Sequence, residues 1–311
     1  MKSAVKVPTS VMKNKSAILN NVDLKTLDEV FKRTRADSIP LSEFVKDNNV
    51  GLFPDQYVII RNEMDSKKIQ TDKEPVDFPK SEQVISIVSS RYKLVNHDEV
   101  VCPIIHTLTD NHVNFSIPQL YVDQKPGRNN LYARLMLNDI TIDVDGSNIH
   151  PTIDVFNSTD GLLSAGMIFG AYRLVCSNGM MIGEAFEMSK IVHTPSFFEK
   201  FNFERIFNEV VAKFNNLGEQ IERMQTVKLQ KMMLEGLKKA GFNSMFIKHY
   251  DVILEKYLLE TGESVNKDTL WGLYATATNF ISNYLMLKDQ RAAIKQQTIL
   301  HKYVREFQAA A

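Results

Sequence analysis

The sequence predicts an α+β protein, in which an antiparallel β-sheet with flanking helices is followed by an all-helical C-terminal region. Apolar residues alternate with polar or amphipathic ones from Leu131 to Leu137, which is the period of a strand. Asp160-Gly161 is a hairpin-turn dipeptide that separates two further apolar runs. From Pro195 onward, apolar residues recur at three- and four-residue steps, which indicates helices. Hairpin signals therefore favour antiparallel pairing over parallel βαβ units.

The N-terminal part of the chain predicts two helices and two short strands. Residues 22–35 have helical spacing, and Asp23 is placed to accept the free N–H groups at the start of that helix. Residues 57–61 and 84–88 are typical of strands. Asn96 and Glu99 then form a capping-box pair, which predicts a second helix to about residue 108.

The predicted sheet continues through the middle of the chain. Apolar residues change from odd to even positions between Leu137 and Ile140, which a two-residue turn at 138–139 explains. We therefore expect Leu137 to face Ile140 across a hairpin. Residues 153–156 and 167–175 predict two further strands on either side of the Asp160 turn.

These patterns divide the chain into three predicted parts. Residues 1–20 form a flexible basic arm, residues 21–194 an α+β core domain, and residues 195–311 a helical region. The helical region contains a short heptad seam, whose spacing predicts self-association into a homo-oligomer. The seam consists of Phe207, Val210, Phe214, Leu217, Ile221 and Met224.

Four stretches carry motifs that follow one another in a fixed order. Residues 90–99 contain Tyr-Lys-Leu-Val-Asn-His-Asp-Glu, and residues 156–179 contain Asn-Ser-Thr-Asp-Gly and Arg-Leu-Val-Cys-Ser-Asn. Residues 191–194 are Ile-Val-His-Thr, and residues 269–278 contain Thr-Leu-Trp-Gly-Leu. In this order they resemble an uncharacterised family of phage and plasmid proteins, a domain of unknown function. The resemblance implies a mobile-element origin and supplies no catalytic residues.

The resemblance also marks a set of family-core positions. Ala275 departs from it, because the family pattern often has Asn there, so no polar role is carried over to that position. The family-core positions are Asn157, Asp160, Gly161, Arg173, Cys176, Asn178, Trp271 and Gly272.

Composition excludes several classes of protein. Two cysteines are too few for a disulfide scaffold and lack metal-ligand spacing. The chain has no apolar run of membrane-spanning length and no signal-peptide pattern, so we expect a cytoplasmic protein of an infected or plasmid-bearing bacterial cell. It also lacks a phosphate-binding glycine loop and a Gly-x-Ser-x-Gly elbow, which disfavours an ordinary enzyme. We expect no cofactor.

Charge is distributed unevenly along a chain whose net charge is zero. Residues 1–35 carry eight basic and three acidic residues, residues 36–199 thirteen and twenty-two, and residues 200–311 sixteen and twelve. Basic side chains neutralise phosphates, so the two basic ends predict nucleic-acid binding. The candidate residues are Lys13, Lys15, Lys32, Arg33, Arg35, Lys228, Lys231, Lys238 and Lys239.

The sequence leaves three hypotheses about function. The first is a phage or plasmid nucleic-acid-binding protein of DNA replication or recombination that binds or anneals single-stranded DNA. The second is a protein-interaction module that inhibits or redirects a host defence protein, for which the acidic residues 36–199 are suited. The third is a metal-dependent nuclease, in which Asp143 and Asp145 on one strand face hold Mg²⁺. The same acidic face is also typical of a solvated hairpin.

Overall fold

The computed structural model describes residues 17–44, 55–61, 83–123, 127–144, 147–173, 178–181, 189–196, 217–261 and 265–308. The strands are β1 (Ala17–Val22), β2 (Ala36–Pro40), β3 (Gln56–Arg61), β4 (Gln83–Ser89), β5 (Phe115–Val122), β6 (Asn130–Leu137), β7 (Ile142–Val144), β8 (Ser147–Ser158), β9 (Ala165–Arg173), β10 (Asn178–Met181) and β11 (Ser189–Ile191). The helices are α1 (Leu24–Thr34), α2 (Leu41–Phe44), α3 (His97–Asp110), α4 (Leu217–Thr226), α5 (Lys231–Lys239), α6 (Ser244–Lys248), α7 (Tyr250–Thr261), α8 (Leu270–Phe280), a π-helix (Ile281–Leu285), α9 (Met286–Lys288) and α10 (Gln290–Gln308).

Two antiparallel sheets organise the first part of the chain. The large sheet has the strand order β1-β5-β6-β8-β9-β10, with β7 paired to β8 and β11 paired to β9. The small sheet has the order β2-β3-β4. The predicted α+β class, with an antiparallel sheet followed by helices, is confirmed.

Both faces of the large sheet are covered, which explains why all eight residues of β6 are buried. Alternate side chains on one face, including Leu131, Leu135 and Val155, pack under α1 and α3. On the other face, Tyr132 and Phe156 share a core with the C-terminal helices. The sheet is therefore the middle layer of the molecule.

The helix starts agree with the local sequence. The Asp23 carboxylate accepts the Thr26 N–H at 2.7 Å, as an N-cap does. Both halves of the capping box at Asn96 and Glu99 are present, and the Asn96 N–H donates to Glu99 Oε2 at 2.7 Å. These two predictions are confirmed.

The predicted hairpin between Leu137 and Ile140 is wrong. β6 pairs with β8 along its length, and β7 pairs with the start of β8. Val144 is instead the register partner of Ser147, and the two residues between them in the sequence, Asp145-Gly146, are a strong turn dipeptide. The sequence offers two turn dipeptides in this stretch, Asn138-Asp139 and Asp145-Gly146, and the prediction used the first.

The described residues from 217 to 308 form helices and their connections. The backbone approaches closely at Gly272 in α8, where a Cβ atom would stand 2.6 Å from the Asn266 carbonyl oxygen. Within the described part of the chain, no helix combines the length and the apolar character needed to cross a bilayer.

Candidate functional site

Three segments that are distant in sequence meet beside the end of β8. Tyr92 follows the turn after β4, and its ring packs with the apolar side chains of the small sheet. His97 is the first residue of α3, Asn157 lies near the end of β8, and His193 follows β11. The backbone N–H of Lys93 donates to the His193 carbonyl at 3.0 Å, which holds two of these segments together. We call Tyr92, His97, Asn157 and His193 the polar centre.

Asn157 is the hub of the polar centre, and its orientation fixes the protonation of both histidines. Its Nδ2 donates to the Val95 carbonyl at 3.0 Å, and a carbonyl can only accept. Oδ1 therefore faces His193 and accepts from Nε2 of that ring at 3.0 Å. His193 Nδ1 is then unprotonated and accepts from the Tyr92 hydroxyl at 2.8 Å. The result is a chain of hydrogen bonds from phenol to imidazole to amide.

The chain continues to a second histidine. Asn157 Nδ2 also lies 3.1 Å from His97 Nδ1, so this nitrogen accepts and the proton of the neutral ring is on Nε2. Burial, together with the smaller effect of the positive charge of Arg61, lowers the pKa of His97 to about 3. Burial also lowers the pKa of His193 to about 4, against the opposing effect of Asp160. Both rings are therefore neutral at pH 7.

The phenol has its own electrostatic surroundings. Burial raises the pKa of Tyr92, and the negative charge of Asp160 raises it further, while the backbone N–H of Gly161 acts in the opposite direction. The Asp160 carboxylate in turn accepts the Leu162 N–H at 2.9 Å and a hydrogen bond from the Ser158 hydroxyl. The turn after β8 thus presents both a carboxylate and an amide to Tyr92.

Neighbouring asparagines connect the polar centre to the small sheet and α1. Asn96 bonds the backbone of Ala36 through both amide atoms, at 2.8 and 3.2 Å. Asn129 Nδ2 donates to the Thr34 carbonyl at 2.7 Å and to the Thr159 hydroxyl at 2.6 Å. These hydrogen bonds connect the surroundings of the polar centre to the backbone of α1 and β2.

Six buried polar atoms, five around the polar centre and one at the start of β6, make no hydrogen bond of normal geometry with the described residues. Such atoms are uncommon in folded proteins and are usual at sites that hold water or a ligand. One pair is close to bonding, because Arg128 Nη1 and Asp160 Oδ2 lie 3.9 Å apart. The Asn129 amide also lies near enough to His97 to favour its protonated form. The six atoms are Arg61 Nε, His97 Nε2, Arg128 Nη1, Asn129 Oδ1, Asn130 Oδ1 and Asp160 Oδ2.

One protein-family model matches the part of the chain that contains the polar centre. A family model described as "Domain of unknown function (DUF932)" matches residues 84–303, which is more than half of the chain. The chain belongs to the DUF932 family. Each residue of the polar centre lies inside the matched range.

Two curated relatives of this DUF932 protein come from Escherichia coli strain K12. They are the UPF0380 proteins YfjQ and YafZ, each 28% identical over 125 residues, or 40% of this chain. The alignment spans 45% of the length of either relative. No solved structure matches the chain.

The structure separates the predicted DUF932 core positions into two groups. Asn157 and Asp160 belong to the polar centre or its immediate surroundings, and Gly161 has a φ of +74°, a conformation that glycine adopts readily. Arg173 and Asn178 are register partners in the β9–β10 pair. Cys176 lies outside the described residues.

Trp271 and Gly272 form the other group, in α8. Trp271 is buried in the core that the helices share with the sheet. The close approach of Gly272 to the Asn266 backbone gives that position a packing role. These two residues are not part of the polar centre.

The predicted basic residues differ in whether their charge is already paired. Lys32 pairs with Asp28 at 2.5 Å, and Arg35 pairs with Asp98 at 3.1 Å. Arg33 lies half-buried on α1 beside them. Lys13 and Lys15 lie outside the described residues. In contrast, the remaining four candidates are exposed and make no ion pair with a described residue: Lys228, Lys231, Lys238 and Lys239.

The predicted self-association seam is described only in its second half. Ile221 and Met224 are buried in the core of the chain itself, so they face its interior rather than a second copy. This arrangement differs from the role predicted for these two positions. Leu217 begins α4, whereas the preceding seam residues, Phe207, Val210 and Phe214, lie outside the described residues.

The predicted metal site is also described only in part. Asp143 is exposed on β7, and Asp145 lies outside the described residues. The nearby Asp154 is neutralised by Arg134, whose Nε lies 2.8 Å from its Oδ1. Across the part of the chain that the structure describes, no group of three or more His, Cys, Asp or Glu side chains is placed to hold a metal ion.

Sequence reasoning did not find the polar centre. It used Asn96 only as a helix cap and assigned no role to His193, although both stand in the recognised motifs. The available signal was that three of the four motifs contain Asn or His at the end of a strand or the start of a helix. Only the tertiary fold shows that these three motifs meet.

Proposed function

We propose that this protein binds nucleic acid, with single strands favoured, through the basic surface formed by α5 and α6. Residues 227–249 contain five lysines and one glutamate, a net charge of +4. All five lysines are exposed, and none is paired with a described residue. Unpaired lysines are free to neutralise phosphates and release their counterions. This is the observation that carries the proposal.

The helices hold these lysines on a rigid support. Met233 and Leu237 of α5, with Phe242 and Phe246 after it, point into the core. The Tyr303 hydroxyl of α10 donates to the Met233 carbonyl at 2.8 Å, which fixes α5 against the long C-terminal helix. Lys231, Lys238 and Lys239 of α5 lie on the opposite, solvent-facing side, where exposed Glu235 stands between Lys231 and Lys239.

Exposed apolar side chains on the same surface favour single strands. Met232 is 66% exposed and Met245 is 39% exposed, beside the lysines of α5 and α6. Unpaired bases offer apolar faces that such side chains can contact, whereas a duplex presents mainly phosphates. A role in replication or recombination, including strand annealing, follows from this preference.

Binding to labelled single-stranded DNA, double-stranded DNA and RNA tests the proposal, each measured at two or more salt concentrations. The test variant replaces Lys231, Lys238, Lys239 and Lys248 with Gln. If all four contact phosphates, we expect weaker binding and a salt dependence shallower by about 3 in the logarithmic slope, at about 0.7 per phosphate for single strands. The control replaces Lys32 and Lys256 with Gln, because both are already paired with carboxylates.

The outcomes separate the hypotheses. Equal binding by the four-lysine variant and the wild type would show that this surface is not the contact. Absence of binding at low salt would overturn the proposal and favour a protein partner, for which the acidic residues 36–199 are the reason. Mass photometry of the same samples measures the predicted homo-oligomer.

A further inference from the structure

The polar centre contains three side chains in the arrangement of an activated nucleophile. The Tyr92 hydroxyl donates to His193 Nδ1 at 2.8 Å, and His193 Nε2 donates to Asn157 Oδ1 at 3.0 Å. A nucleophile, a base and a third group that orients the base are the parts that covalent catalysis requires. The Asn157 amide is itself held by the Val95 carbonyl, so the base has one tautomer and one orientation.

Burial keeps both the phenol and the imidazole neutral before the reaction, although the same pKa shifts oppose proton transfer from Tyr92 to His193. His193 is neutral at pH 7, because burial lowers its pKa to about 4, and its unprotonated Nδ1 points at the phenol. Burial keeps Tyr92 protonated, so the phenol needs a base that takes its proton as it reacts. The Gly161 N–H acts to lower the pKa of the phenol, so it favours negative charge on that oxygen.

The charges around Tyr92 suit an anionic substrate. Arg91 and Lys93 flank it in the chain, and both are exposed. Arg128 Nη1 lies 3.9 Å from the carboxylate of Asp160, whose negative charge acts on Tyr92. Arg128 therefore offsets part of the repulsion between Asp160 and an anion. Tyr92 is itself partly exposed, which sets it apart from the fully buried His97.

We infer that Tyr92, His193 and Asn157 form a phosphodiester-transfer site, in which Tyr92 is the nucleophile toward a nucleic-acid strand. This inference rests on the proposed function, because it takes nucleic acid as the substrate. The Tyr92 oxygen attacks phosphorus while its proton passes to His193 Nδ1. The bond from phosphorus to the leaving sugar oxygen breaks on the side opposite Tyr92, that oxygen takes a proton from solvent water, and His193 releases its proton to solvent. The strand is then cut, and one end is joined to Tyr92 as a phosphotyrosine.

The roles of the three residues differ. Tyr92 and His193 touch the reacting atoms, whereas Asn157 acts only through His193 and is a positioning residue. Reversal needs no further reagent, because the freed hydroxyl attacks the phosphotyrosine and restores the strand. Such a step conserves the phosphodiester and suits the joining or exchange of strands.

Trapping of the covalent adduct tests the inference on the full chain. The probes are single-stranded DNA pools of random sequence with one bridging sulfur at either the 3′ or the 5′ side of a labelled phosphate. A thiol leaving group does not efficiently reverse the reaction, so the adduct accumulates. We expect an adduct that survives denaturing electrophoresis, with the labelled phosphate on Tyr92 by peptide mass spectrometry.

Matched variants separate chemistry from structure. Tyr92→Phe removes only the hydroxyl and should abolish the adduct, whereas Tyr284→Phe, on the exposed side of the π-helix, should leave it unchanged. His193→Gln should slow adduct formation at least about 100-fold. Asn157→Ala should slow it and also alter the pH profile of the rate, whereas Asn157→Gln should restore part of the rate if it keeps the bond to His193.

The same samples are assayed for DNA binding, so the two proposals fail separately. Retained binding without any adduct would overturn the phosphodiester-transfer site and leave the proposed function intact. Loss of both would overturn both. An adduct that persists in Tyr92→Phe, or that maps to another residue, would also overturn the assignment.

Discussion

Two networks of polar side chains lie on opposite faces of β8. Asp154 pairs with Arg134 on the face that the C-terminal helices cover. The residues of the polar centre surround Asn157 on the other face. The first network is a buried ion pair in which both side chains are 1% exposed. Arg134 donates twice to Asp154 at 2.8 Å and once to Gln119 at 2.9 Å, and the Tyr132 hydroxyl also donates to Asp154. We call this set the ion-pair network.

The two networks differ in charge, in origin and in completeness. Arg134 and Asp154 are direct register partners on β6 and β8, so strand pairing alone brings them together. The polar centre comes from three segments between residues 92 and 193 and uses neutral side chains. Every polar atom of Arg134 and Asp154 is satisfied, whereas buried atoms around the polar centre are left without a partner. The ion-pair network therefore follows from strand pairing, whereas the polar centre depends on the tertiary fold.

The largest expected effect comes from breaking the ion-pair network. Asp154→Ala leaves the Arg134 charge buried without its partner, so we expect a loss of about 3–5 kcal/mol in the free energy of unfolding. Urea unfolding at pH 7 measures it. The double variant Arg134→Met/Asp154→Leu removes both charges and should be markedly more stable than the single variant. A single variant within about 1 kcal/mol of wild type would contradict the distinction between the networks.

A smaller effect is expected at the hub of the polar centre. Asn157→Ala leaves the Val95 carbonyl and His193 Nε2 without their partners, so we expect a loss of about 2–3 kcal/mol in the free energy of unfolding. The matched control is Asn111→Ala, because that amide donates to Thr107 at the exposed end of α3. The control should lie within about 0.5 kcal/mol of wild type in the same urea experiment. Equal losses of unfolding free energy in the two variants would show that the hydrogen bonds of Asn157 stabilise the protein no more than an exposed one does.

The buried histidines predict a pH dependence of the stability. The folded-state pKa of His193 is about 4, below the unfolded value of 6.5, so the unfolded chain binds the proton more readily. The stability that neutral His193 contributes is present above pH 6.5 and falls as the pH drops toward 4. Between pH 7 and pH 5 we expect a loss of about 2 kcal/mol from this residue.

Urea unfolding of His193→Gln at both pH values measures that contribution, because Gln cannot titrate. The variant should lose about 2 kcal/mol less than wild type on acidification. His106→Gln, on the exposed side of α3, is the control and should follow the wild-type curve. A variant as acid-sensitive as wild type would show that His193 is not the buried neutral group described above.

The smallest expected effect lies at the turn that brings Asp160 and the Gly161 amide to Tyr92. A Cβ atom at Gly161 would meet only ordinary contacts, at 3.7 Å from Val88 and 3.8 Å from Tyr92, so the strain comes from its φ of +74°. Gly161→Ala should therefore cost about 1 kcal/mol. Gly218→Ala has similar contacts in α4 without positive φ, and it should be neutral or slightly stabilising. Thermal unfolding of the pair provides the comparison, and equal shifts would contradict it.

The sequence predicted those features that depend on neighbouring residues. The cap at Asp23, the capping box at Asn96 and the turn at Gly161 are each set by a few consecutive residues, and the structure has all three. The hairpin at Leu137 was wrong because two turn signals compete within ten residues. The polar centre was missed because a hydrogen bond between Asn157 and His193 leaves no periodic trace in a linear sequence.

The core that the large sheet shares with the C-terminal helices bears on how this protein can be dissected. Tyr121, Tyr132, Phe156 and Ile168 face Trp271 and its neighbours across that core, and the Tyr121 hydroxyl donates to the Ser282 carbonyl at 3.3 Å. A fragment cut before residue 217 would present this aromatic sheet face to water, where it promotes aggregation. Fragments that separate the sheet from these helices would therefore report on misfolding rather than on function, and point variants in the full chain are the informative tools.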